Sequence, residues 1–362
     1  ARNWGEQAML IQAWHYAAPN YPYTCYDVLY RTPRQHVGGC LWHSFDHQRG
    51  YHPDPFYGGL MDVFRQPKYS YYMFQAQRSP KKQDRLFETG PMVYIAHEMT
   101  PFSPKDVTVY SNCDEVRLTY NKGGKSLTYT KPVSREGMPS PIITFKDVYN
   151  FMIDKNMSMK EGRQKEVFLL AEGLINGKVV ATHKVCPARR PSKLLLWIDN
   201  ENTELKADGS DFVTVIAAIA DKNGNIKRLN NYYVKFHIEG EGRILGGANV
   251  LANPAPVKWG TAPILVQSTL KPGKIKITAS VLFEGSQMPV SAELELESKP
   301  SAYPLIYASE EAALIPMKSD SQSFPITAKS QKELEKEKAV KEQNERKLKE
   351  VEQQQADFGE KK

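Results

Sequence analysis

The sequence predicts a mainly β protein: two antiparallel β-sandwiches in tandem, a preceding section of helices with one buried strand, and a charged helical tail. Apolar and polar residues alternate at period two through much of residues 92 to 297, the signature of half-buried strands. Turn residues divide those runs at short spacing, as in immunoglobulin-like sandwiches. Residues 330 to 356 are dominated by Glu, Lys, Gln and Arg, a composition that favours helix but supplies little core.

The elements follow in order. Trp4 to Ala18 holds one Gly, near its start, and no Pro; Met9, Leu10, Ile11 and Trp14 supply apolar bulk, so a helix is expected. Val37 to Trp42 is a short uncharged run that fits a buried parallel strand leaving into a loop. Pro67 is a good first-turn residue, and a second helix is expected from there to Gln77. Asp106 to Tyr110 and Glu115 to Tyr120 alternate as strands, with Asn121 to Gly124 as a turn. Val167 to Glu172 and Val179 to Val185 flank Asn176-Gly177, the dipeptide whose turn suits the twist of paired strands. Arg189 to Ser192 reads as a linker. Beyond it, strands are expected at Leu194 to Ile198, Phe212 to Ala220, Tyr232 to Ile238, Ile264 to Gln267, Lys274 to Phe283 and Ala292 to Glu297. The expected divisions are residues 1–90, 91–190, 191–299 and 300–362. In the tail, Leu334, Ala339, Val340, Leu348 and Val351 do not sustain a heptad, so a solvated helix is expected rather than a coiled coil.

Composition narrows the function classes. With 362 residues, 41% of them hydrophobic and 25% charged, the chain can bury a real core and hold two or three domains. The formal charge of +7 is spread in pairs such as Lys81-Lys82 and Arg189-Arg190, without a basic helix or a nucleic-acid-binding motif. No nucleic-acid partner is therefore expected. No apolar run is long enough to cross a bilayer as a helix. Cys25, Cys40, Cys113 and Cys186 form no CxxC pair, which argues against zinc and thioredoxin-like redox chemistry; thiols are expected rather than a disulfide framework. Neither a metal nor a cofactor is expected. The first residue is Ala, read as a processing or cloning boundary, so the chain does not report its own targeting.

The densest cluster of chemically capable residues runs from Trp42 to His52. His43 and His47 stand four apart with Asp46 and His52 close by, but Gly50 and Pro53 argue against the helix that would point both imidazoles at one metal. Ser44 lacks the Gly-x-Ser-x-Gly elbow of a hydrolase nucleophile. A carbohydrate pocket wall, with an aromatic face beside hydrogen-bonding side chains, and a buried loop with satisfied histidines stand level on the residues alone.

The run Gly38-Gly39-Cys40-Leu41-Trp42-His43-Ser44-Phe45-Asp46, with Gly58-Gly59-Leu60-Met61-Asp62, Arg65-Gln66-Pro67-Lys68 and Tyr71-Tyr72, resembles the end of the catalytic barrel in glycoside hydrolase family 2. Val109 to Asn112, Val116 to Leu118, Gly240 to Gly246 and Lys271 to Ile275 are similar to the two sandwiches that follow that barrel in Bacteroides-type β-galactosidases. The match covers residues 1 to about 297. It implies the last strand and helices of a TIM (β/α)8 barrel, two immunoglobulin-like sandwiches, and a retaining exo-β-glycosidase using two carboxyl groups. The family's acid/base and nucleophile motifs are not found here, so both carboxylates are expected upstream and this chain alone is expected to be inactive. Glu6, Asp46, Asp54 and Asp62 read better as helix-surface or loop-structuring groups.

By the same resemblance Trp42 would line the subsite for the terminal sugar, offering its ring to the C–H face of a pyranose. His43, Ser44, Asp46 and His47 would add rim contacts. The implied partners are an oligo- or polysaccharide ending in a β-galactoside and an N-terminal barrel region outside this chain; a homo-oligomer is compatible with it. Phe56-Tyr57-Gly58 has no lysine where β-glucuronidases of the family carry one, which favours a neutral sugar. A periplasmic or extracellular place follows from the resemblance. The rival readings are a non-catalytic carbohydrate-binding protein, with Tyr232, Tyr233 and Trp259 as candidate platforms, and a purely structural role.

Overall fold

The computed structural model describes residues 5–17, 26–31, 40–50, 55–82, 89–123, 125–134, 137–152, 167–199, 203–282 and 288–302. The expected helical tail lies outside them. The mainly β expectation is met by four sheets, paired face to face.

Three helices come first: α1 (Glu6–Ala17), α2 (Tyr26–Arg31) and α3 (Tyr69–Gln75). Met9, Ala13 and Ala17 recur at i, i+4 and i+8 on α1 and pack with Tyr69, Met73 and Ala76 in one cluster. Ile11 and Trp14, read as apolar bulk, lie on the exposed side instead. The helix expected from Pro67 begins at Tyr69, because Pro67 pairs with Met61 and Lys68 is extended with its N–H bonded to Leu60 O. The short α2 had no expectation; six residues are too few to show a helical period. Of the strand expected over Val37 to Trp42, residues 37–39 lie outside the described set, and Cys40 to Trp42 form no strand. A parallel strand needs a ladder partner, and no described strand pairs with this segment.

The first pair of sheets comes from β1 (Val93–Ala96), β2 (Val107–Ser111), β3 (Glu115–Lys122), β4 (Ser126–Pro132), β5 (Ile143–Phe145), β6 (Val167–Ile175) and β7 (Lys178–Val185). Their orders are β1-β2-β5 and β4-β3-β6-β7, all antiparallel. Val107, Val109, Val116, Leu118, Tyr120, Phe145 and Leu169 meet between them. Asn176 and Gly177 both have positive φ (51° and 73°), the backbone a two-residue hairpin of this type demands.

The second pair comes from β8 (Lys193–Asp199), β9 (Lys206–Ala207), β10 (Phe212–Ala220), β11 (Tyr233–Gly240), β12 (Gly242–Ile244), β13 (Ala255–Pro256), β14 (Thr261–Ser268), β15 (Gly273–Val281) and β16 (Ala292–Pro300). The orders are β12-β14-β10-β8 and β13-β11-β15-β16-β9. The alternating residues Val213, Val215, Ala217 and Ile219 of β10 enter the core with Phe236, Ile264 and Ile277. The intervening Thr214, Ile216 and Ala218 are buried as well. Thr214 and Ile216 face Met9, Tyr69 and Tyr72 across a cleft, so this strand has neighbours on both faces.

A buried polar node joins the parts. Glu98 follows β1; its Oε1 accepts from the Tyr69 hydroxyl at 3.1 Å and its Oε2 from Arg228 Nε at 3.0 Å. The Glu98 backbone N–H donates to Glu6 Oε1 at 2.8 Å, and Ser103 Oγ donates to Glu6 Oε2 at 2.5 Å. Glu6 is thus buried, not on the helix surface as expected, because the first turn of α1 points at the segment after β1. His97 Nδ1 accepts the Met99 N–H at 3.1 Å, so its proton sits on Nε2 and is donated to Pro104 O at 2.9 Å.

Burial pushes the Glu6 carboxyl up to about 7 and the His97 imidazolium down to about 4. A raised acid stabilises the fold fully below its unfolded value of 4.5 and loses that contribution as pH climbs through about 7. The depressed histidine acts in the opposite sense: its contribution is present above 6.5 and lost as pH falls through about 4. Glu6→Gln removes the first effect alone. The stability of this variant relative to the wild type should therefore rise with pH from 4.5 to about 7, by up to about 1.4 kcal/mol per pH unit. Urea titrations across that window measure it, and a constant difference would contradict the assignment.

Candidate functional site

The candidate residues sit on a loop folded back upon itself. Phe45 pairs with Met61, His47 with Phe56, and Met61 with Pro67 in isolated bridges. Asp46 N–H donates to Met61 O at 2.9 Å and Met61 N–H to Ser44 O at 3.1 Å. The two arms of the loop touch at Gly59. A Cβ there would stand 2.3 Å from the Asp46 backbone nitrogen and 2.6 Å from Met61 O, so no other residue fits. Helix α1 clamps the same turn: Gln12 Nε2 donates to Gly59 O at 3.0 Å and the Tyr16 hydroxyl to Gly58 O at 2.7 Å. Ser70 of α3 donates to Gln12 Oε1 and completes the clamp.

Inside the loop lies a buried ion pair. Lys68 Nζ reaches Asp46 Oδ1 at 2.6 Å, with 0% and 2% of the two side chains exposed. The same oxygen accepts the Gly59 N–H at 2.9 Å, and Lys68 also donates to Tyr57 O at 3.2 Å. Burial pushes the Asp46 carboxyl up and the Lys68 ammonium down, toward their neutral forms, and the short charge-assisted bond opposes both. Asp62 is a loop-structuring carboxylate, accepting the N–H groups of Phe64 and Gln66; burial raises it to about 6. Asp46 Oδ2 and His47 Nδ1 are buried without hydrogen-bond partners among the described residues.

The outer edge of the loop is aromatic. The rings of His43 and His47 lie 4.1 Å apart, Phe56 lies 5.1 Å from His43, and Trp42 stands edge-on to His43 at 5.4 Å. The Arg49 guanidinium sits 3.9 Å over the Phe56 ring. Burial, and behind it the neighbouring His47 and Arg49, holds His43 below its usual value. Trp42 is 82% exposed, so it is not a core tryptophan in this structure. Ser44 is exposed and Asp46 faces inward, so the two do not meet as a triad would require. Among the described residues no group of three or more His, Cys, Asp or Glu is placed to hold a metal ion. Asp54 lies outside the described residues.

The structure therefore brings Trp42, His43 and His47 together and withdraws Asp46 to a supporting position. Lys68, Phe56, Gln12 and Tyr16 belong to the site's framework and were not expected as such. Lys68 stood in the Arg-x-Pro-Lys resemblance, but its partner is 22 residues away and no local pattern marks the pair.

Known proteins resemble much of this chain. The glycoside hydrolase family 2 C-terminal domain 5 matches residues 196–282, within the second pair of sheets. The chain is 32% identical over 273 residues to a β-galactosidase of Thermoanaerobacter pseudethanolicus, covering 73% of this chain and 34% of that protein. It is 28% identical over 261 residues to a β-galactosidase of Bacteroides ovatus, covering 67% of this chain and 27% of the relative. The chain thus spans about a third or less of these relatives. A β-glycosidase from Bacteroides vulgatus shares the fold with a TM-score of 0.52 at 23% identity, over 70% of this chain and 30% of that one.

The buried pair makes a sharp expectation about stability. Lys68→Met leaves the Asp46 carboxylate uncompensated and should cost about 3–5 kcal/mol. Adding Asp46→Leu removes the stranded charge and should recover part of that loss. Denaturant unfolding of the single and double variants measures this, and a double variant no more stable than Lys68→Met would show that the ion pair does not hold the loop.

Proposed function

We propose, from the similarity of the chain to the C-terminal part of family 2 glycoside hydrolases, that it is the C-terminal portion of a retaining exo-β-glycosidase. The substrate is a glycan ending in a β-galactoside, and the two catalytic carboxylates stand upstream of this chain. In this reading residues 1–90 close a TIM barrel supplied by that upstream region, and the two sandwiches brace it. The observation that carries the reading is the exposed Trp42 at the head of a loop locked from behind by Asp46, Lys68, Gly59 and α1. A locked loop with its tryptophan face uncovered suits a sugar-stacking wall, since stacking gains most when the ring is already held in place.

His43 and Ser44 follow Trp42 and would contribute rim hydrogen bonds; His47 orients His43 by ring contact. Asp46 acts through the loop backbone and does not reach the sugar. The preference for a neutral sugar rests on Phe56-Tyr57-Gly58, where no cation is present, and on Lys68 being committed to Asp46. Around the Trp42 loop and α1 the carboxylates are committed to structural partners: Asp46 is held by Lys68, Asp62 by its own turn and Glu6 by the segment after β1. A non-catalytic carbohydrate-binding role is the second reading, favoured by the half-exposed Phe212 and the exposed Tyr233 on the second pair of sheets.

The chain alone should hydrolyse aryl β-galactosides no faster than buffer, and an in-frame upstream barrel should restore turnover. In that longer enzyme Trp42→Ala should cost roughly 1–3 kcal/mol in kcat/KM with the fold retained. Turnover by the isolated chain, abolished by changing a carboxylate within it, would overturn the reading; unchanged kcat/KM in Trp42→Ala would remove Trp42 from the pocket.

A further inference from the structure

We propose that the cleft between α3 and the outer face of the β8–β10 sheet is a second binding site, one that takes a neutral oligosaccharide chain. The cleft measures 1070 Å³, at or above the top of the roughly 300–1,000 Å³ typical of small-molecule sites. None of Trp42, His43, Ser44, Asp46 or His47 lines it. Phe45 does, so neighbouring residues of the loop serve the two places.

One wall is a sheet face fixed by register. Ile216 pairs with Trp197 and Thr214 with Asp199, so Trp197, Asp199, Thr214 and Phe212 share the face opposite the core residues Val213 and Val215. Four positions separate Phe212 from the partner of Trp197, which places the two aromatic residues roughly 13–14 Å apart along the strands. That spacing exceeds one pyranose ring and fits a chain of them. Phe212 is 50% exposed and presents its ring to solvent. Between the two rings stand a carboxylate and a hydroxyl. This is the pairing a sugar needs, with an apolar face for its C–H bonds and fixed polar groups for its hydroxyl rim.

The opposite wall carries Arg65. Burial raises the Asp199 carboxyl, and the positive charge of Arg65 acts against that rise. Among the described residues three arginines, Arg65, Arg78 and Arg228, line the cleft beside four acidic side chains, Glu98 and Asp199 included. The charges nearly cancel, which suits an uncharged ligand and disfavours a polyanion. The walls come from distant parts of the chain but are tied together. Thr261 Oγ1 donates to Gln66 Oε1 at 2.8 Å, and the Glu98–Arg228 pair closes the floor. The cleft is therefore built before any ligand arrives.

The proposal borrows only its choice of sugar from the galactosidase reading. The test titrates the 362-residue chain with β-1,4-linked galactotetraose by calorimetry. Saturable binding is expected, weakened about ten-fold in Phe212→Ala, as loss of one stacked ring implies. It should be unchanged in Phe102→Ala, which removes an exposed ring outside the cleft. Trp197→Ala should weaken it similarly, and Phe212, half exposed, can be changed without disturbing the core. Any of four results would overturn the proposal: no saturation at millimolar ligand, binding indifferent to Phe212→Ala, binding lost with Trp42→Ala alone, or tighter binding of heparin than of galactotetraose. Turnover by the barrel-bearing enzyme is read separately, so the failure of either reading leaves the other measurement standing.

Discussion

The Glu98 carboxylate lies where α3, the first pair of sheets and the second pair of sheets meet. One of its oxygens accepts from Tyr69 and the other from Arg228, while its backbone N–H is held by Glu6. A carboxylate this sheltered is costly to bury unless its lone pairs are used, and here both oxygens are. Arg228 in turn donates to Trp259 O, so the second pair of sheets is held through main chain as well as side chain. Loss of Arg228 would strand a charge at the junction. The position of the helices against the sheets, and hence the cleft, depends on this node.

A second constraint sets the shape of the Trp42 loop. Gly59 allows two backbone segments to touch, and the Asp46–Lys68 pair fills the space beneath them. The clamp from Gln12 and Tyr16 then ties the loop to α1, and α1 reaches the Glu98 node through Glu6. The loop and the node are therefore parts of one connected polar framework. Rigidity of this kind suits a binding wall, because little rotamer entropy is left to lose when a ligand arrives.

The Trp42 loop and the cleft differ in their chemistry. At the Trp42 loop the indole is exposed, the rings behind it are half-buried and the carboxylate is withdrawn. In the cleft a carboxylate and a hydroxyl stand between aromatic residues on one sheet face. As proposed above, the first would take one sugar at a pocket edge and the second an extended chain.

Strands were legible wherever their side chains alternate over several residues, as in β3 and β15, and the Asn176-Gly177 turn announced its own hairpin. Short pieces such as β5, β9, β12 and β13 were not, since two or three residues carry no period; β4, exposed along most of its length, has no inward face to betray it. Cys40 to Trp42 looked like a buried strand because its residues are uncharged, yet burial needs a neighbouring ladder that composition cannot supply. Trp42, His43 and His47 were legible as a cluster by proximity in sequence. The withdrawal of Asp46 onto Lys68, the burial of Glu6 and the joining of Glu98 to Arg228 were not, for these partners lie 22 to 130 residues apart. Period and turn chemistry act between near neighbours and are written locally. Ion pairs and cleft walls form only where the folded chain brings distant residues together, so tertiary structure alone decided them.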